Sequence, residues 1–335
     1  MGVKKQSLAS FSAIDVERRT KKNKFFSDID KIIDWDAVDK EISKYYSKGK
    51  SAVGKDAYSG LLLFKMLLVG FWYALSDERT EEMANDSLSV MKFCGLRLED
   101  DVPDHSVLSR FRTELAKKGA FEKLLAHLNM QLQSRNIMIK GGKAKVDATI
   151  TESPRKPKVK KTFAVAEDRK ENRQAEEDVD KVIKYTDAVC INQPGVDYEA
   201  RWLKKRGKLH YGYKGHYGVD EDGLVKGVHT TTANEHDSKS FEIILEKVEN
   251  DCDSIYADKA YKSKANDELV SKFNLKNRIQ DKAYPNHLLS SWQIKRNTLI
   301  SKSRYVVERT IGTMKKWFNG GICRYVGIEK RMLNM

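Results

Sequence analysis

Cysteine is scarce in this chain. Its four copies, Cys94, Cys190, Cys252 and Cys323, lie far apart and never form a CxxC pair. That spacing argues against a disulfide scaffold and a structural zinc site, and a reducing cytoplasm suits it. Long apolar runs are missing too. The longest, Leu61–Leu75, covers 15 residues and is interrupted by Lys65. A bilayer span needs roughly 20 apolar residues, so a buried helix is expected here. Residues 1–12 are basic and polar with no apolar centre, so no secretory leader is expected. There is no internal repeat and no nucleotide-binding glycine motif. Gly212, Gly215 and Gly218 form neither G-x-G-x-x-G nor a P-loop and instead suit a tightly packed strand.

Charge is plentiful, and most of it is positive. The 335 residues include 62 Lys and Arg against 48 Asp and Glu, a net charge of +14. The pI is about 9.3 and the mean hydropathy −0.61. Hydrophobic residues at 40% and charged residues at 33% are ordinary globular usage. Wholly disordered, collagen-like and mucin-like chains are thereby excluded, and the length allows one large domain or two ordinary ones. The excess charge points first to a phosphate polymer as partner and second to an anionic membrane.

The first 140 residues read as helical. Ile29, Ile32, Ile33 and Trp35 recur at helical spacing within Phe25–Val38. A further helix is expected from Asp77, whose neighbouring acids suit a helix N-terminus, to just before Gly95. After Pro103, Asp104 is a good N-cap for a helix over Ser106–Lys118, with Arg110 and Arg112 beside its apolar face. Trp72, Tyr73 and Cys94 suit core packing. Gly141-Gly142 reads as a linker, after which the period changes. Lys145–Thr151, Leu209–Val219 and Leu224–Thr232 read as strands, the last two joined by an Asp- and Gly-rich hairpin turn, Asp220–Gly223. Ser240–Asn250 reads as a helix and Ser254–Ala257 as a short strand. The segment Pro154–Lys161 holds five basic residues in eight and reads as a mobile, phosphate-tracking arm.

Chemistry on phosphodiesters with Mg²⁺ needs carboxylates converging from several elements, because the ion is hard and prefers oxygen ligands. Asp147 lies within an apolar strand beside Val146, Ala148 and Ile150. A lone buried carboxylate there is costly, and the plainer alternative is an outward-facing strand residue. Asp258 follows the strand Ser254–Ala257, with a helix cap as its plainer role. At about 100° per residue, Arg304, Glu308 and Lys315 fall within about 40° of one another on a helix, beside an apolar stripe of Val307, Ile311, Met314 and Phe318. The plainer reading there is a surface salt-bridge ladder. His210, His216, His229 and His236 match no zinc spacing and suit structural roles.

Five stretches together resemble the DDE transposases of bacterial insertion sequences, in the IS-four/IS-five superfamily and closest to its IS-five side. Arg304, Glu308 and Lys315 match the signature Tyr-x2-Arg-x3-Glu-x6-Lys, with Ser301 in place of its Tyr. Val146–Thr149 resembles the first-Asp strand. Tyr256–Tyr261 resembles the second-Asp motif, with Ala260 where Gly is usual. Pro103–Arg112 and Leu209–His216 are similar to two further family segments.

The resemblance implies an α+β (or α/β) chain. An N-terminal all-α domain, residues 1–140, would bind DNA ends. A ribonuclease H-like mixed-sheet catalytic domain, residues 141–335, would carry a basic insertion at about 152–208. It implies that Asp147, Asp258 and Glu308 are catalytic and hold two divalent ions, Mg²⁺ with Mn²⁺ as substitute. Arg304, Lys315, Arg110 and Arg112 become candidate DNA contacts, with Lys259 and Tyr261 weaker ones whose plainer readings are surface charge and core packing. The implied partners are double-stranded transposon ends and target DNA, engaged by a homodimer in the cytoplasm, at the nucleoid, with no membrane role. The implied reaction cuts at the ends to leave a 3′-hydroxyl that joins target DNA. Rival readings are a helix-turn-helix regulator built on residues 77–118 and a structure-selective nuclease of the same fold. A third is a shortened, inactive copy, since family members run on through another helix beyond the equivalent of Met335.

Overall fold

A computed structural model of the chain describes residues 21–47, 57–139, 141–157, 163–165, 188–190, 195–205, 207–248, 252–285 and 288–331. The chain divides into two compact units, Met1–Met138 and Ile139–Met335. The second begins beside Gly141 and Gly142, whose φ values of 79° and 78° are left-handed.

The first unit is helical: α1 (Lys21–Ile32), α2 (Trp35–Ser43), α3 (Gly60–Trp72), α4 (Asp77–Asp86), α5 (Leu88–Cys94), α6 (His105–Lys117) and α7 (Ala120–Ser134). The sequence pattern predicts one helix over Phe25–Val38, but the chain breaks between α1 and α2. Asp34 caps α2 by accepting from the Ala37 N–H at 3.1 Å. The Gln131 side chain accepts from the Asp34 N–H at 2.8 Å and donates to its carbonyl at 3.1 Å. A partner 97 residues away thus takes the N–H that a continuous helix would have bonded to the Asp30 carbonyl, while the Asp34 carbonyl also accepts from the Val38 N–H at 3.2 Å as α2 begins. The helix expected from Asp77 to Gly95 is likewise two, parted at the extended Ser87 (φ −108°, ψ 106°). Gly95 ends α5 in the left-handed region at φ 79°. The Asp104 carboxylate accepts from the Ser106 and Val107 N–H groups at 2.8 and 2.9 Å, which starts α6 one residue earlier than expected.

The apolar run becomes α3, which threads the core of this unit. Phe26 stacks on Phe93 with centroids 4.7 Å apart, and Trp72 packs against both. Lys65, the one charge in the run, lays its ammonium over the Trp35 and Phe93 rings at 4.3 and 4.7 Å. Its Nζ is 3.7 Å from Asp30. Burial lowers the pKa of Lys65, and Asp30 opposes that shift. Cys94 is buried, and burial pushes its thiol up to about 12. Among the described residues no single helix is long and apolar enough to cross a membrane.

The second unit is built on one sheet. Its strands are β1 (Lys143–Glu152), β4 (Arg201–Lys205), β5 (Lys208–Val219), β6 (Val225–Thr232), β7 (Ser254–Ala257) and β8 (Lys276–Ile279). The short β2 (Phe163–Val165) and β3 (Ala188–Cys190) pair with each other, and with no other strand among the described residues. One edge of β5 pairs with β1; its other edge is shared between β4 and β6. Then β7 adds parallel to β1, and β8 parallel to β7. Only β5 runs against the rest, and the turn Asp220–Gly223 that reverses the chain is the expected one. One Asp220 oxygen accepts from the N–H groups of Asp222, Gly223 and Leu224, and Gly223 takes a φ of 95°.

Ala144 and Val146 of β1 turn into a core shared with α8 (Phe241–Glu246) and α9 (Lys264–Lys272). The long α10 (Ser291–Trp317) packs against β1, β5 and β7, and α11 (Ile328–Arg331) follows. This is the ribonuclease H-like α+β arrangement. The helix expected over Ser240–Asn250 is shorter, a 3₁₀ turn at Asp237–Ser240 leading into α8, while residues 249–251 lie outside the described residues. The basic segment is pinned at its start, where the Asp197 N–H bonds the Arg155 carbonyl at 2.9 Å. Residues 158–162 lie outside the described residues.

Candidate active site

Register brings the first two acids together. In the parallel β1–β7 pair, Val146 lies opposite Ala257. Asp147 and Asp258 are therefore the next positions on neighbouring strands, whose spacing is about 4.8 Å. Alternation turns Val146 into the core and Asp147 to the opposite side, where α10 lies. Asp258 stands where β7 ends. Its carboxylate accepts from the Lys259 N–H at 2.6 Å and caps the 3₁₀ turn Lys259–Tyr261. The helix-cap role of Asp258 is therefore present, and the same carboxylate faces Arg304 at 4.0 Å.

The third acid arrives on α10, which is fastened along its length. A capping box starts it: the Ser290 hydroxyl accepts from the Gln293 N–H at 3.2 Å and the Gln293 side chain accepts from the Ser290 N–H at 2.8 Å. Arg296 then donates to the Ile279 and Asn277 carbonyls and to Asp281 at 2.8–3.0 Å. Gln280 donates to the Ser301 hydroxyl at 2.7 Å, so the residue that departs from the family signature ties α10 to the end of β8. Farther along, Val307 and Ile311 are buried. Thr310 and Arg309 bond the Gly223 and Asp222 carbonyls of the β5–β6 turn. Beyond α10 the chain returns to β1, where the Glu152 N–H bonds the Gly321 carbonyl at 2.9 Å. Phe318, expected in the apolar stripe, is 40% exposed instead, because the helix has already ended there.

Between α10 and the sheet, Arg304 meets all three acids. One Nη is 3.3 Å from Asp147 and 3.7 Å from Glu308; the other is 4.0 Å from Asp258. Side-chain exposure rises from 22% at Asp147 to 37% at Asp258 and 58% at Glu308. The cluster therefore opens to solvent on the Glu308 side. Burial raises the pKa of Asp147 while the Arg304 charge and the Ala148 N–H lower it. Behind the site, Tyr261 is fully buried and its hydroxyl lies 3.1 Å from Nδ1 of His216, whose other nitrogen faces Thr231 at 3.2 Å. Burial, with the charges of Asp237 and Asp147 behind it, pushes the Tyr261 phenol well above its usual range. Tyr261 is a core residue, as its alternative reading had it.

Two of the predicted phosphate contacts are corrected. Arg112 is 3% exposed, and its two Nη atoms bond the Asp77 carboxylate at 2.7 and 2.8 Å. Two helical positions differ by about 200°, so Arg110 faces outward while Arg112 turns inward to lock α6 onto α4. Arg112→Ala is expected to destabilise the helical unit by about 2–3 kcal/mol, because it strands a partly buried carboxylate. Chemical denaturation followed by far-ultraviolet circular dichroism checks this, and an unchanged midpoint would return Arg112 to the surface. Arg304 is the second correction: it is 6% exposed and directed at the acids rather than outward. Lys259 and Lys315 are exposed, as a phosphate contact requires. The network of Gln280, Arg296, Asn297 and Ser301 went unpredicted, although Ser290 and Gln293 spell a capping box that marks where α10 begins.

The donor set is all oxygen, which fits a hard divalent cation. The carboxylates do not yet surround a common point: among the described residues no three His, Cys, Asp or Glu side chains form a metal-ligating group. The guanidinium stands between them.

A ribonuclease H-like sheet with one acid in β1, a second just past the end of the adjacent parallel β7 and a third on a crossing helix defines a class, the polynucleotidyl transferases and nucleases of that fold. Comparison with known proteins narrows it. Residues 14–114 match the family described as a transposase domain (DUF772), and residues 179–335 match the transposase DDE domain. The transposase for insertion sequence element IS1106 of Neisseria meningitidis serogroup B is 32% identical over 265 residues, covering 76% of this chain and 85% of that protein. The chain belongs to the DDE transposases of insertion sequences, an enzyme family that depends on divalent metal. Asp258 and Glu308 fall inside the DDE match, whereas Asp147 lies between the two matched regions.

Proposed function

We propose that this chain binds the terminal inverted repeats of its own insertion sequence, cuts DNA at those ends and joins the exposed 3′-hydroxyls to target DNA. One observation carries the reading: three carboxylates, from two adjacent strands and a crossing helix, lie within 4.0 Å of a single buried guanidinium. A bare regulator would have no use for that convergence. The motifs favour the IS-five side of the superfamily. The protein would act as a homodimer on nucleoid DNA in the cytoplasm.

Asp147, Asp258 and Glu308 would hold two Mg²⁺ ions, with Mn²⁺ an effective substitute. When bound, the ions activate the attacking oxygen and stabilise the leaving one. Asp147 and Asp258, on rigid neighbouring strands, set where the scissile phosphate docks, and positioning carries much of phosphoryl transfer. Glu308, the most exposed of the three, closes the cluster from the side on which DNA enters. Lys315, Lys259 and Arg110 would hold backbone phosphates, and the helical unit would engage the ends.

The test is incubation of the full chain with end-containing duplex and a target plasmid, with Mg²⁺, with Mn²⁺ and with EDTA. Metal-dependent nicks at the ends together with joined products are expected. Nicks without joining would leave a nuclease, and end binding without nicks would leave a regulator. Lys315→Ala is expected to weaken end binding and lower the slope of log affinity against log salt by about 1. Binding measured across a salt series decides this, and an unchanged slope would make Lys315 surface decoration.

A further inference from the structure

A positive charge stands among the three acids. Arg304 reaches Asp147, Glu308 and Asp258 at 3.3, 3.7 and 4.0 Å. These distances exceed the roughly 2.7–2.9 Å of a tight charge-assisted hydrogen bond. Its Nε is buried with no hydrogen-bond partner. The contrast with Arg112 lies in the Nη atoms, which there grip Asp77 with two short bonds. Arg304 is held by charge more than by fitted hydrogen bonds, and such a hold is the more easily exchanged.

We infer that Arg304 is an internal counter-ion that keeps the acidic cluster assembled before metal arrives, and that a divalent ion must displace it from Asp147 to bind. The inference rests on the proposed reading of the three acids as metal ligands. Without a cation, carboxylates at this range repel one another, and Asp147 is the deepest of them. A guanidinium offsets that repulsion, since it cannot lose its proton. It has no lone pair to offer a metal, however, and two cations beside one carboxylate repel. Occupancy by Arg304 and occupancy by metal are therefore alternatives. The chain is preorganised without metal, and metal affinity is correspondingly weakened.

The experiment measures Mn²⁺ binding to the full chain without DNA, from the electron paramagnetic resonance signal of the free ion. Arg304→Gln should bind Mn²⁺ about tenfold tighter than the unaltered protein. Its metal-free form should melt lower, yet gain more in melting temperature from Mn²⁺. Arg304→Lys, which keeps the charge, should stay near the original affinity. Equal or weaker binding by a cooperatively melting Arg304→Gln overturns the inference. Asp147→Asn separates the two levels. If it binds Mn²⁺ as well as the unaltered protein, the metal-ligand reading itself falls; if it loses binding while Arg304→Gln gains none, only the counter-ion role falls. Should Arg304→Gln fail to fold, the unaltered chain still answers. Its Arg304 Nε–H resonance, assigned by absence from Arg304→Lys, should lose solvent protection as Mg²⁺ is added. Protection retained at saturating Mg²⁺ overturns the displacement.

Discussion

Asp147→Asn is expected to lower single-turnover strand cleavage by about a thousandfold or more while leaving the fold and end binding in place. The two side chains have the same shape, and asparagine can still accept the Ala148 N–H that Asp147 accepts at 2.9 Å. What is lost is one negative charge at the deepest position of the cluster. The fold should tolerate that loss. Burial raises the pKa of Asp147 in the folded chain, with Arg304 opposing. A raised carboxylate pKa means that the folded state binds a proton more readily than the unfolded one, so this position favours folding less as pH rises. A neutral residue removes that penalty. Arg304 keeps Glu308 and Asp258 at 3.7 and 4.0 Å, so its charge is not stranded. Nicking of labelled end-containing duplex in Mg²⁺, beside binding in EDTA and a thermal melt, checks the three parts separately. Asp258→Asn and Glu308→Gln should behave alike, and normal cutting by any one of them removes that residue from the site.

Gly212→Ala should destabilise the catalytic unit by about 3 kcal/mol or more. Gly212 sits in β5 where the strand pairs with Glu152 on one side and Arg201 on the other. A methyl group there would collide with the Thr151 carbonyl oxygen and lie 3.0 Å from the Glu152 Cα and the Ser153 nitrogen. These are backbone atoms of the central strand, so relief requires β5 to move away from β1. The same displacement would disturb the strand that carries Asp147. Gly312→Ala is the control, because nothing lies within 4 Å of the methyl group it would add. Soluble yield and urea midpoints for the pair check this, and equal midpoints for Gly212→Ala and the unaltered chain would refute it.

Much of the site was legible before any coordinates. Small apolar neighbours and a period of two mark Asp147 as a strand residue, and the spacing Arg304, Glu308, Lys315 marks one face of a helix. The hairpin turn was legible because Asp220 and Gly223 act on their own neighbours. Where elements were misjudged, a distant partner is responsible. Gln131 splits the first helix at Asp34. The first half of α10 carries Trp292 and Leu299 at 69% and 67% exposure, so its apolar pattern did not report a buried face. Arg110 and Arg112 are the same residue type on one helix, and only the position of Asp77 tells them apart.

The sequence by itself singled out the candidate side chains and the short elements that hold them, because local propensity, alternation and capping act over a few residues. Tertiary structure alone decided that Asp147 and Asp258 are neighbours and that Arg304 turns toward them. The first depends on the parallel pairing of Val146 with Ala257, the second on the anchoring of α10 to β8 and to the β5–β6 turn. Such pairings join residues far apart along the chain, and burial of the whole sheet, not any local preference, selects among them.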